Sequence, residues 1–224
     1  MTAPALPLRL IGRDGVARSC LVGLDVADGT GPLAARRALE RTLAESGGCV
    51  EDGPAEPLPG DHLARTLALG GFYMALSTAT AYRIEPAHLF CAALAHRLTL
   101  SEARAEALQL AVHEALANGI IHGNLEMTSQ GRQSLDAFAD YCRTIDGRLA
   151  EPRLAGRWIE VFATWDDAQV MITVADGGQG YDPATVNDAD CAGKSGRGLQ
   201  LIHSLAQAVE RSDGGRSITM RFDR

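Results

Sequence analysis

The sequence is poor in several things, and each shortage removes a class of function. It has no block of lysine or arginine: 21 basic residues against 28 acidic ones leave a formal net charge of −7 and a pI near 5.3. A surface that neutralises a phosphate backbone or an anionic bilayer needs a cationic footprint, so neither nucleic acid nor membrane is an expected partner. No apolar run approaches the roughly 18 residues of a transmembrane helix. The opening MTAPALPLRLIGRDG lacks a charged region followed by an apolar one, so no secretion signal is read and the cytoplasm is the expected compartment. The five cysteines, Cys20, Cys49, Cys91, Cys142 and Cys191, are odd in number and scattered, with no CxxC pair. Zinc and redox motifs are thereby excluded, and reduced, mostly buried thiols are expected. No segment repeats.

What is present is a chain of 224 residues, 46% hydrophobic, long enough for one sizeable core or one core with a small appendage. Residues 1–60 read as an N-terminal extension: a hairpin from LRLI, GRDG and SCLVGLDV, a helix over PLAARRALERTLAES, and a linker, GGCVEDGPAEPLPGD. Beyond residue 60, GFYMALST is long enough for a buried strand. Helical spacing then runs through EPAHLFCAALAHRL, and through SEARAEALQLAVHEALANGIIHG with Ser101 as N-cap and Gly123 as stop. Leu135, Phe138, Cys142, Ile145 and Leu149 mark a further amphipathic helix, which packs on the core or forms a homodimer interface. RWIEVFATW and QVMITVAD make a hairpin turning at Asp166 and Asp167. GLQLIHSLAQAV follows as a helix, and SITMRF closes the chain as a half-exposed strand. This order predicts an α+β fold, a mixed, mainly antiparallel sheet with helices on one face, plus a small N-terminal ββα extension.

Three stretches carry candidate chemistry. In HEALANGIIHG, Glu114, Asn118 and His122 stand four apart and share one helix face. The zinc reading fails because position 117 is alanine, leaving His113 without a ligand partner one turn on. A carboxylate and a carboxamide one turn apart suit a magnesium site that also activates a nucleophile; an ordinary exposed helix edge is the competing reading. In VADGGQGYDP a buried strand ends at Asp176, whose carboxylate can accept the exocyclic amine of a base, while Gly178 and Gly180 free the backbone to approach a ligand. The alternative is a plain glycine-rich turn. In GKSGRGLQLIHSL the first glycine of a Walker motif would fall at Asp188, so this is no P-loop. What remains is a glycine-rich lead-in to a helix, an anion site with charge from Lys194 and Arg197, or simply a loop and cap.

In this order, HEALANG, DGGQG and GRGLQLI resemble the asparagine box and two glycine boxes of the Bergerat-fold ATPases, the superfamily of gyrase, Hsp90 and histidine kinases. EALANGIIHGNLE, GYDP and SGRGLQLI are similar to the anti-sigma-factor serine/threonine kinase branch, in its subtype with HGNLE after the asparagine box. The resemblance runs from about residue 70 to the end and implies a two-layer α/β sandwich in an ATPase domain over residues 61–224. It implies ATP and Mg²⁺ as cofactors, Glu114 as general base, Asn118 as magnesium ligand and Asp176 as holder of the adenine amine. Gly178 and Gly180 would pass close to the nucleotide, Gly196 and Gly198 would shape the phosphate-side loop, and Lys194 and Arg197 would contact phosphates. Two departures stand out: Gly119 where relatives carry alanine, and Arg216 where many carry an adenine-binding threonine.

The implied activity is ATP-dependent phosphorylation of a regulatory protein partner, either an anti-anti-sigma-like antagonist or a sigma factor. A histidine kinase fragment or phosphotransferase working with a response regulator is the second reading, with His62 or His96 as phosphoacceptor. A partner-binding module without catalysis is the third.

Overall fold

The computed structural model describes residues 6–11, 17–22, 31–51, 58, 61–128, 135–180 and 197–224. β1 (Leu6–Ile11) and β2 (Ala17–Val22) form an antiparallel hairpin, and α1 (Gly31–Glu45) leads into β3 (Gly48–Glu51). After α2 (His62–Ala68) comes β4 (Phe72–Ser77), then α3 (Thr78–Ile84), α4 (Ala87–Leu98) and α5 (Glu102–Asn118). A π-helical turn (Gly119–Asn124) extends α5, followed by α6 (Leu135–Ala150), the single turn α7 (Pro152–Ala155), and the hairpin of β5 (Trp158–Trp165) and β6 (Gln169–Asp176). The chain ends with α8 (Arg197–Leu205), β7 (Ala208–Ser212), a 3₁₀ turn (Asp213–Gly215) and β8 (Ser217–Asp223).

All eight strands belong to one sheet in the order β2-β1-β3-β4-β5-β6-β8-β7, with β3 and β4 parallel and every other pair antiparallel. The expected mixed, mainly antiparallel sheet is therefore present. Its centre is β4, FYMALS, buried along its whole length because both faces are covered. Phe72, Met74 and Leu76 face the main helical layer together with Ile159 and Val161 of β5, Ile172 and Val174 of β6, and Met220 of β8. Leu39, Leu43, Phe90, Leu94, Leu108, Val112, Leu116 and Ile202 meet them from α1, α4, α5 and α8. Each buried aliphatic or aromatic side chain contributes about 1.5–3 kcal/mol, so this one cluster dominates stability.

Alternation sends Tyr73, Ala75, Trp158 and Phe162 to the other face, where Leu63 and Leu67 of α2 pack over them. That cover was not legible in the sequence, and neither were β3 and α2 themselves. β3 is only four residues long in a stretch read as linker, and α2 is seven. β3 is one strand of the parallel β3–β4 pair, and α2 lies in the crossover that such a pair requires. The helix expected over GLQLIHSLAQAV also stops early: Gln207 N–H donates to Arg221 O at 2.9 Å, and residues from Ala208 pair with the free edge of β8.

Candidate functional site

The three stretches come from separate parts of the chain, and the sheet brings them together. α5 is held by Leu108, Ala111, Val112, Ala115 and Leu116, all buried, which leaves Glu114 and Asn118 half-buried on its edge. The first turn of α8 packs against that edge. A Cβ built on Gly198 would lie 2.5 Å from Glu114 Oε2 and 3.5 Å from Asn118 Nδ2, so the second glycine box touches the asparagine box directly. A side chain there would fill the space between them.

The end of β6 meets the same helix one turn further on. At Gly119 the α-helix widens into the π turn, closed by Leu125 N–H donating to Ile120 O at 2.9 Å. Such turns are frequent at functional sites because they re-aim a helix face. Here the widening presents two glycines to Asp176. A Cβ at Gly123 would sit 2.5 Å from the Asp176 Cγ, and one at Gly119 would be 3.4 Å from its Cβ and 2.9 Å from Ile159 Cδ1. Gly119 thus lets strand and helix close up where alanine would push on Ile159. His122 turns away, with its Nδ1 2.7 Å from Met127 O, and His113 is exposed.

Asp176 is a partly buried carboxylate that accepts from Gly178 N–H at 2.9 Å. Burial pushes its pKa up to about 6, against the opposing pull of the Gly178 hydrogen bond and the charges of Arg216 and Arg157. A poised acceptor with little solvation is what recognition of an amine needs. Gly178 is buried against Gly123 O, and Gly180, at φ +71°, lies against Gly214 and Arg216. Arg216 accepts the Asp176 N–H at its carbonyl, 2.9 Å away, and its Nε donates to Asp213 O at 3.0 Å. Its guanidinium lies close enough for its charge to act on Asp176.

Arg197 is exposed at the start of α8, while Lys194 and Gly196 fall outside the described residues. The structure adds two participants that spacing did not reveal, Asn124 and Arg157. Asn124 is fully buried, and its side chain bridges Thr78, Trp158 and the Gly177 N–H. Its only trace in the sequence was its place in HGNLE. A polar residue beside a helix stop has no periodicity to betray burial.

The phosphoacceptors of the second reading are placed elsewhere. His62 opens α2, with Nδ1 3.3 Å from the buried Glu160 Oε1 and its ring stacked on Phe162 at 4.9 Å, on the sheet face opposite α5. Glu160 also accepts from the Tyr73 hydroxyl, and burial raises its pKa. His96 is exposed on α4. Two cavities open away from the boxes, about 330 Å³ beside Tyr141 and Arg148 and about 290 Å³ beside His62 and Thr219, and neither is lined by Glu114, Asn118 or Asp176. Among the described residues no group of three or more His, Cys, Asp or Glu could hold a metal ion, and no helix is long and apolar enough to cross a membrane.

A search among curated proteins returns no match. Residues 77–222, about two-thirds of the chain and the span that contains all three converging stretches, match the family model described as the histidine kinase-like ATPase domain, and the chain belongs to that family.

Proposed function

We propose that the protein is an ATP-binding regulator of the anti-sigma serine/threonine kinase type, moving the γ-phosphoryl of ATP to a regulatory protein partner in a magnesium-dependent way. The observation that carries the reading is the pair of close approaches, Gly198 on Glu114 and Gly123 on Asp176, which set a carboxylate–carboxamide pair beside a helix start and an amine acceptor one turn away. The donor set fits the group. Bound Mg-ATP supplies a transferable phosphoryl and ADP as leaving group. Asp176 accepts the exocyclic amine of the base, and Asn118 Oδ1 offers magnesium the hard oxygen it prefers, with waters completing the shell. The positive dipole end of α8 would take the anionic end, with the exposed Arg197 adding charge. Glu114 takes the proton from the partner's attacking hydroxyl as the new oxygen–phosphorus bond forms. Lys194 and Gly196 belong to the same proposal as phosphate-side residues.

His62 is not used: the sheet lies between it and Glu114, which disfavours phosphoryl transfer to it within one chain. A Mg²⁺-dependent ATP titration of wild type and Asn118→Ala tests the site. Affinity is expected to fall about tenfold or more, the worth of a lost charge-assisted contact. Coincident curves would show that Asn118 does not hold the metal. Labelled transfer to an antagonist protein that disappears in Glu114→Ala tests the kinase assignment.

A further inference from the structure

We propose that Asn124 is the positioning residue for base recognition: it holds the Gly177 amide, thereby aims the Asp176 carboxylate, and so sets discrimination between an amino and an oxo purine. The inference deepens the nucleotide-binding reading above and rests on it.

Asn124 uses every polar atom of its side chain. Nδ2 donates to Thr78 Oγ1 at 2.8 Å and to Trp158 O at 3.0 Å, and Oδ1 accepts from Gly177 N–H at 2.8 Å. The amide cannot be flipped, because Trp158 O can only accept and Gly177 N–H can only donate. One buried carboxamide therefore locks the start of α3, the start of β5 and the residue after Asp176 to each other. Asp176 is pinned on its other side too, by its own N–H to Arg216 O at 2.9 Å. With both flanking amides tied, the carboxylate direction is left to its side-chain torsions, the Gly178 N–H and the charges of Arg216 and Arg157 among the described residues.

The support continues beneath Asn124. Arg157, 8% exposed, donates from Nη1 to Asn124 O at 2.7 Å and from Nη2 to Glu126 Oε1 at 2.7 Å. Glu126 stands at φ +52°, a left-handed backbone unfavourable for glutamate, and Arg148 and Arg153 approach its carboxylate to 3.5 and 3.6 Å. Strain of this kind persists where the surroundings over-determine it. Here the cation cluster holds the loop that presents Asn124. Glu126 also accepts from Gln179 Nε2 in the glycine box at 3.5 Å, and the Arg157 charge acts on Asp176, so the cluster's effect converges on the strand end that carries that carboxylate.

The test titrates the full chain with Mg-ATP and Mg-ITP, which differ at the base by an amine against a carbonyl. Wild type is expected to prefer ATP. Asn124→Ala is expected to weaken ATP about tenfold, the size of one lost orienting hydrogen bond, and to leave ITP unchanged, so the preference collapses. Thr78→Val removes one of Asn124's three partners at nearly constant volume, should move the ratio the same way by less, and serves if Asn124→Ala does not fold. Parallel loss of ATP and ITP means Asn124 is merely structural and overturns the proposal. A wild type blind to the two bases overturns it together with the role of Asp176. Discrimination lost in Asp176→Asn but kept in Asn124→Ala overturns the positioning role alone.

Discussion

Asp176 shows how one side chain can weaken the fold at the position proposed to hold the base. Burial raises its pKa to about 6 from the ordinary aspartate value of 3.8. Between these values the folded state binds more protons than the unfolded, so stability falls as pH rises through that window, and the penalty is complete above it. Asp176→Asn is therefore expected to raise the melting temperature at pH 7.5, by the equivalent of roughly 3 kcal/mol, and to lose most of that gain at pH 4. Thermal denaturation at the two pH values checks it; an equal shift at both would remove burial as the cause. The same substitution should abolish the preference for an amino purine, the usual exchange of stability for function. Buried thiols make a contrast. Burial pushes Cys91 up to about 12, so it stays a neutral part of the core; Cys49 is buried as well, while Cys142 is exposed, against the expectation of mostly buried thiols for that residue.

At the scale of elements, the long ones declare themselves by periodicity and the short ones do not. α5, β4, β5, β6 and β8 are legible because each repeats its apolar residues over several positions. β3 offers only Cys49 and Val50 before an acid, yet it secures a neighbour: Glu51 accepts Ser77 N–H at 2.6 Å, Ser77 Oγ at 3.2 Å and Thr80 Oγ1 at 2.8 Å, capping the start of α3. Burial raises the pKa of this carboxylate, and the hydrogen bonds pull it back. Glu51→Ala would leave buried donors unpaired and is expected to cost on the order of 2 kcal/mol of unfolding free energy, read by urea denaturation. A change under about 0.5 kcal/mol, the range of an ordinary surface substitution, would show that Glu51 does no capping. The π turn belongs to this scale as well. Gly123 predicts a helix stop, but the wider turn, with Gly119 and Gly123 both set against Asp176, belongs to the packing of β6 on the helix.

For the whole molecule, the question is how far residues 1–60 stand apart. Leu39, Leu43 and Cys49 are fully buried in the same cluster as Phe72, Phe90 and Val161, and β3 covers one edge of β4. Removing residues 1–60 would uncover FYMALS as a long apolar edge strand, a ready template for aggregation. The 61–224 fragment is expected to lose near-ultraviolet circular dichroism and bind a hydrophobic dye while keeping much of its secondary structure. A sharp, full-amplitude unfolding transition of the fragment would instead mark the extension as dispensable.

The sequence by itself determined the class of fold, the family and the candidate residues Glu114, Asn118, Asp176 and Gly198, because helix and strand periods are local and glycine or acid at a strand end or helix start reports directly on backbone demand. Only the tertiary structure decided that Gly123 faces Asp176, that Gly198 touches Glu114, that His62 sits behind the sheet, and that Asn124 and Arg157 support the site. These are pairings between residues tens of positions apart. They are set by which strands lie side by side and which faces are buried, and no local pattern of side chains encodes them.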